Sequence, residues 1–527
     1  MSTLITVDYV IVGAGSAGAA LAARLSEKPG TTVALLEAGP PDDNQFIHIP
    51  AAFSKLFRSE YDWDYSTASQ PGLAGRKIYW PRGKTLGGSS SMNAMMWVRG
   101  YAADYDQWAS TAGEDWSFQK LLPYFQRIEH VEGATPPGDG ADGPLHISRQ
   151  RSPRPMTEDY LQAVTALGHR VERANQYQPD GFARTMVTQK RGARHSTADA
   201  YLRPAAKRRN LTIITDAHAT RVRFTGTRAT GVDYLHLGQQ CQINAGREVI
   251  LCGGAINTPQ LLMLSGIGDS DQLTHHGVTV VHHSPEVGRN LQDHLVAVLS
   301  YEADSDTLAD AETPRQLISY LAARRGMLTS NVAEAYGFIR SNDTLELADL
   351  ELLFAPAPFL REGLFQHNGH CATFGTVLLT PRSRGEITLS SSDPLAKPLI
   401  DPRYLSDPDG IDRAAIMEGL RACAAIAGTA PLARHLGNYL QPLAEPGTPL
   451  EEVLRLALEH YAHTLYHPVG TCRMGRDDHS VVDPELRVRG VDGLRIADAS
   501  IMPTIIRGHT HAPSVMIGEK AADLIAG

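Results

Sequence analysis

Three imidazoles near the C-terminus are the side chains best suited to chemistry. His467 lies in Leu465-Tyr-His-Pro-Val-Gly-Thr-Cys-Arg-Met-Gly475, and His509 and His511 lie in Gly508-His-Thr-His-Ala-Pro513. Imidazole titrates near neutral pH. Two such rings, brought together from these segments, could remove the proton of an alcohol and stabilise the developing alkoxide while carbon passes a hydride to a redox cofactor. Sequence order alone does not say that the rings meet, and a lone histidine is more often structural.

The opening of the chain offers a place for a redox cofactor. Asp8-Tyr-Val-Ile-Val-Gly-Ala-Gly-Ser-Ala-Gly18 sets a Val/Ile-rich buried strand directly before G-x-G-x-x-G. Gly13 permits the tight turn, Gly15 lets backbone approach a pyrophosphate, and Gly18 lets the next helix pack on the strand. Ser16 and Ala17 open that helix, whose unpaired N–H groups would face the phosphates. A second strand, Thr32 to Leu36, ends at Glu37 beside Ala38. A carboxylate there suits both hydroxyls of an adenosine ribose and repels a 2′-phosphate, which disfavours NADP. Together these features indicate dinucleotide binding, without choosing FAD over NAD.

Other elements must bring the two ends together. Phe46 to Tyr65 holds six aromatic residues without a clean period and reads as an irregular cover over a ligand or as loop packing. In the stretch from Trp80 to Gly100, Gly87, Gly88 and the serines through Ser91 can expose donors around an anion. Arg82 or Lys84 could neutralise a phosphate or sit solvated on the surface, and Asn93 is the better ligand-facing candidate. Arg194 to Leu202 reads as a helix start capped by Ser196 or Thr197. Glu248 to Leu251 reads as a buried strand before Cys252-Gly-Gly-Ala-Ile-Asn-Thr-Pro-Gln260, where Gly254 makes a second cofactor contact or only a structural turn. From about 300 to 455 the pattern suggests a sheet with packed helices, with Ala372 to Leu379 paired to Gly385 to Leu389. His282, His283 and His294 lack convincing metal-ligand spacing, so no metal is expected. Glu334 is a candidate partner for a cationic substrate or half of a surface ion pair.

Bulk properties narrow the class. A chain of 527 residues, 42% apolar, exceeds one ordinary core and points to two lobes. Its net charge of -9 argues against a nucleic-acid surface, and five cysteines with no C-x-x-C pair give neither a disulfide scaffold nor a cysteine zinc site. No secretory segment or apolar run of membrane-spanning length is found. A cytoplasmic protein is expected, with peripheral membrane contact and a homo-oligomer both left open.

These separated motifs resemble the glucose–methanol–choline (GMC) family of FAD-dependent alcohol oxidoreductases, especially its bacterial choline and alcohol dehydrogenase-like branch. The resemblance runs from Asp8–Gly18 through Arg82–Gly100 and Gly253–Gly268 to Leu465–Lys520. It implies an α/β fold with an α+β substrate lobe: a Rossmann-like FAD-binding domain and an antiparallel-sheet substrate domain. The expected division is 1–155, 194–299 and 460–527 for FAD, 300–459 for substrate, and 156–193 as an insertion or excursion into the substrate domain. By resemblance, His467 holds the main catalytic position and His509 its partner position. Both polar sites of Gly508–Pro513 depart from the family's common Gly-Asn-Thr-Asn-Ala-Pro, and His511 is expected to shape the flavin's surroundings.

Also by resemblance, Ser91 to Met95, including Asn93 and Ala94, approach the flavin, Val222 supports adenine, Asp498 and Ala499 lie near the cofactor, and Pro513 begins a flavin-facing helix. Some choline oxidases link flavin covalently through a histidine immediately before the asparagine matching Asn93. That position here is Met92, so FAD is expected to bind noncovalently, and choline itself is in doubt as substrate. The implied reaction is oxidation of a small primary alcohol to an aldehyde, with hydride passing to flavin N5 and oxygen or a quinone-like carrier as electron acceptor. A hydroxynitrile lyase of the same fold, a nicotinamide dehydrogenase and a non-catalytic flavin-binding protein are the alternatives.

Overall fold

Two seven-stranded sheets carry the chain in a computed structural model that describes residues 5–527 apart from 136, 366 and 446. The first runs in the order Leu211–Ile214, Val33–Leu36, Ile5–Val12, Gln239–Leu251, Arg228–His236, Ala217–Thr225, with Leu494–Ile496 beside the end of Gln239–Leu251. The pairings from Leu211–Ile214 through Gln239–Leu251 to Leu494–Ile496 are parallel. Val33–Leu36 is buried at every residue, as a strand covered on both faces must be.

The strand expected from Glu248 begins at Gln239. Its first half pairs antiparallel with Arg228–His236 and is mostly exposed, with Ile243 the buried residue there, so the apolar signal starts only where the strand enters the core at Val249.

Helix Ser16–Leu25 lies alongside the final helix, His511–Ala526. A Cβ on Gly518 would fall 2.3 Å from the Ala17 carbonyl, so glycine is what allows the two backbones so close. Ser16 meets His511 at one end and Arg24 meets Glu519 further along, so the helices run parallel and their N-termini open at the same place.

The second sheet is antiparallel throughout: Leu436–Gln441, Leu295–Ala303, Cys371–Leu378, Leu350–Ala355, Ala335–Ile339 and Phe182–Arg184. His463–Thr464 joins it on Leu295–Ala303. The expected pairing of Ala372 to Leu379 with Gly385 to Leu389 is corrected here. Glu386–Thr388 pairs with Leu399–Asp401, while Cys371–Leu378 is flanked on both edges by the buried strands Leu295–Ala303 and Leu350–Ala355. At the expected helix start, Ser196 Oγ accepts from Asp199 N–H and the Asp199 carboxylate accepts from Ser196 N–H, a reciprocal cap; a π-turn, Ala198–Leu202, follows. Among the described residues no helix is long and apolar enough to cross a membrane.

Candidate active site

Two adjoining cavities, of about 150 Å³ and 190 Å³, meet between the sheets and share Ser16, Arg82, Ser89, Ala499 and Ser514 in their walls. The smaller one lies over the N-terminus of helix Ser16–Leu25. Gly13 has φ +102°, and a Cβ on it would sit 2.4 Å from the Cys252 carbonyl, so the turn itself demands glycine. Gly18 is needed for packing, since its Cβ would lie 2.0 Å from the Gly13 carbonyl. Gly15 differs: the nearest atom to a Cβ there is Gly88 Cα at 3.9 Å. Packing leaves that space open, and it is the space that a pyrophosphate over the helix terminus would fill.

Neither helix that opens here has a side-chain cap, so their first-turn N–H groups stay free for an anion. Glu37 accepts from Ala14 N–H at 2.9 Å and Gly39 N–H at 3.0 Å. Burial pushes its carboxyl up to about 7, against those backbone donors and Lys84. Asp498 ties the second glycine turn to the C-terminal segment by accepting from Gly254 N–H, Thr258 Oγ1 and Ser500 N–H at 2.8, 2.6 and 2.8 Å. At the junction of the cavities, His511 Nδ1 lies 3.0 Å from Ser16 Oγ, while its buried Nε2 has no partner. Burial holds this ring at about 4, and therefore neutral. An orphaned buried nitrogen, two uncapped helix termini and the room at Gly15 fit the FAD expected here.

The larger cavity is walled by alternate residues of the antiparallel sheet: Val296 and Val298, Leu353 and Ala355, Thr373 and Gly375. Phe53, Phe57 and Phe359 close it, the first two from the aromatic segment expected to act as a cover. Among the described residues that line it there is no aspartate or glutamate, and its arginine is Arg82. Three non-glycine residues in its wall, Met95, Val332 and Tyr466, have φ of 55°, 72° and 68°. Such backbone persists where surrounding structure over-determines it, commonly at ligand sites.

His467 and His509 do meet, with ring centroids 4.8 Å apart. Behind His467, its Nδ1 lies 2.9 Å from His294 Nδ1, and its backbone N–H donates to Asp293 Oδ1 at 2.8 Å. Behind His509, Nε2 donates to the fully buried Glu351 carboxylate at 3.0 Å. Burial holds His467 well below the ordinary imidazole range, with His509, His294 and Arg82 adding to the effect. Burial likewise takes His294 down to about 3, assisted by His509 and opposed by the Leu379 and Ile506 carbonyls.

Of the residues expected from sequence, Gly13, Gly15, Ser16, Ala17, Glu37 and Ala38 line the smaller cavity, as do Arg82, Gly88, Gly254, Asp498 and Ala499. Asn93, Ala94, Met95, His467, His509 and His511 line the larger one. Asn93 Oδ1 is already taken by Met95 N–H and Arg194 Nη1, at 3.0 and 2.8 Å. Gly18, Gly87, Ser91, Val222 and Pro513 stand behind the walls; Val222 N–H donates to Ser265 Oγ, and Ala217 to Ala219 line the cleft there instead. Glu334 is buried away from both cavities and accepts from Arg154 N–H, Thr157 Oγ1 and Ser330 Oγ, so it faces neither a cationic substrate nor solvent. His294 and Glu351 were missed. Glu351 did leave a signal, a lone acid within the apolar run Leu350–Ala355.

The chain matches the GMC oxidoreductase family over residues 7–296 and again over 381–518. It is 62% identical over 523 residues to an uncharacterised GMC-type oxidoreductase of Mycobacterium tuberculosis, covering 98% of this chain and 99% of that one. It is 43% identical over 533 residues to an alcohol dehydrogenase (acceptor) of Pseudomonas putida, covering 98% and 95%. The crystal structure of pyridoxine 4-oxidase from Mesorbium loti superposes with a TM-score of 0.88 at 32% identity, covering 98% of each chain. On these matches the chain belongs to the GMC oxidoreductases, FAD-dependent enzymes that act on CH–OH groups.

Proposed function

We propose that the protein oxidises an uncharged primary alcohol with an apolar substituent to its aldehyde, with FAD held noncovalently. The observation that carries this reading is the position of His467, whose Nε2 has no partner among the described residues, in an apolar cavity that continues into the dinucleotide cleft. Gly13, Gly15 and the terminus at Ser16 would hold the pyrophosphate, and Glu37 the ribose. Asn93 to Met95, Ala499 and His511 would surround the ring system, and Met92 offers no nitrogen for a histidyl link. Bound there, FAD supplies the hydride acceptor. His467 takes the hydroxyl proton on Nε2 while His509, anchored by Glu351, polarises the same oxygen.

The cavity also selects the substrate. A cationic alcohol such as choline would surrender hydration to Phe53, Phe57, Val296 and Leu353 with no carboxylate in the wall to replace it. On this reading the first sheet carries the cofactor and the second the substrate. Anaerobic mixing of the flavin-loaded enzyme with a panel of alcohols tests it. Benzylic and medium-chain aliphatic primary alcohols should bleach the flavin and choline should not; reduction by choline as efficient as by the apolar alcohols would overturn the assignment.

A further inference from the structure

We propose that His294 is a positioning residue that holds His467 in its Nδ1–H tautomer, so that the cavity-facing Nε2 is the proton acceptor. The inference rests on His467 being the base, as argued above. It comes from counting hydrogens along one chain of partners. His294 Nε2 lies 3.2 Å from the Leu379 carbonyl, which can only accept, so the hydrogen of that bond belongs to His294 Nε2. A buried, neutral His294 then has a bare Nδ1. His467 Nδ1 lies 2.9 Å from that lone pair, and two bare nitrogens would repel, so His467 Nδ1 carries a hydrogen. Neutral His467 has one N–H to place. With Nδ1 protonated, Nε2 is left with its lone pair toward the cavity. The tautomers are assigned here from their partners.

Without an acceptor at position 294, His467 could place its hydrogen on Nε2. It would then donate to the alcohol oxygen and be unable to take its proton. The backbone makes the arrangement hard to escape. Thr464 pairs with Leu295, Leu465 N–H donates to the His294 carbonyl at 2.8 Å, and Asp293 Oδ1 accepts the His467 N–H. Adjacent residues 293 and 294 therefore grip His467 by backbone and by ring. Nor does His294 relay the proton onward, because its far nitrogen ends on a carbonyl that cannot accept one. The proton taken by His467 Nε2 must leave by Nε2.

The test uses flavin-loaded enzyme and three variants. His294→Leu removes the acceptor, His294→Asn places an amide oxygen near the Nδ1 position, and His467→Ala reports on the base itself. Anaerobic single-turnover mixing separates the reduction rate constant from the alcohol dissociation constant. The Leu variant should lose on the order of 10²–10⁴-fold in rate constant, the scale of a wrong-tautomer histidine, with alcohol affinity and flavin content unchanged. The Asn variant should recover most of that loss. Nitrogen-15 histidine spectra of the unsubstituted protein, assigned by difference with His467→Ala, should show His467 as the Nδ1–H form. Should the Leu variant fail to fold, that spectrum and the Asn variant decide. An Nε2–H His467, or a folded Leu variant reducing at the parental rate, overturns the inference; if His467→Ala also keeps its rate, the base assignment fails with it.

Discussion

The two ends of the cleft are built from different materials. At the proposed nucleotide end, the features are mostly of backbone: a turn at Gly13, an uncapped helix at Ser16 and room left at Gly15, all within one short stretch. At the proposed alcohol end, side chains from positions 294, 351, 467 and 509 converge, and each imidazole that lines the cavity there is defined by what stands behind it. His467 is backed by a neutral ring and His509 by a carboxylate. Affinity for cofactor and rate of chemistry should therefore separate cleanly by mutation.

The largest effect is expected at the base. His467→Ala should slow anaerobic flavin reduction by about 10²–10⁴-fold, the usual contribution of a general base, while the flavin-to-protein absorbance ratio stays at the parental value. A variant that loses flavin and rate together would erase the distinction between the two ends. Glu351→Gln comes next. The amide keeps the shape but removes the charge against which His509 Nε2 is held, and hydrogen bonds to charged groups are worth about 1.5–3 kcal/mol. If that difference is expressed in the transition state, reduction slows by roughly 10–150-fold. Single-turnover mixing measures it, and an unchanged rate would mean that the pair only stabilises the fold.

Gly15→Ala probes the other end. Its backbone has φ −76°, open to any residue, and the new methyl meets only Gly88 Cα. The apoprotein should melt as before. Crowding the pyrophosphate by one methyl should cost about 1–3 kcal/mol, which titration calorimetry of apoprotein with FAD reads as roughly 5–150-fold weaker binding. Gly13→Ala is the contrast: its Cβ would enter the Cys252 carbonyl, so folding itself should suffer.

The same contrast explains what was legible in the sequence. Backbone function requires particular residue types at fixed short spacings, so Gly13, Gly15 and Gly18 announced themselves, and Glu37 followed as the acid that ends the next strand. The alcohol end depends on strand register. His294 reaches His467 only because Leu295 pairs with Thr464, and no local pattern encodes a pairing across that separation. His467 and His509 stood out as imidazoles able to move a proton, but their pairing and separate roles were assigned only through family resemblance. Phe53 and Phe57 could be recognised as a cover, but what they covered came from the sheet. The misassigned partner of Cys371–Leu378 has the same origin, since proximity in sequence suggested Glu386–Thr388 where buried strands from positions 295 and 350 take both edges.

The smallest expected effect is an absence of change with pH, and it separates the base from its support. A base acts when deprotonated, so a histidine held below its ordinary 6.5 stays competent as the medium becomes more acid. kcat/KM, which reports the free enzyme's groups, should therefore remain level from about pH 8 down through 6.5. Among the groups at the alcohol end, the first decline should come from Asp293, pushed up by burial to about 6 against its bonds to Tyr404, Thr464 and the His467 N–H and the charge of Arg82. As pH falls through that value the carboxylate takes up a proton and loosens its grip on the backbone of His467. Asp293→Asn should remove this inflection while leaving the plateau flat, with a lower height because the amide accepts the N–H less strongly. An inflection near 6.5 that survives in Asp293→Asn would instead place an ordinary, solvated imidazole at the alcohol end, and the neutral partner behind His467 would no longer distinguish it from His509.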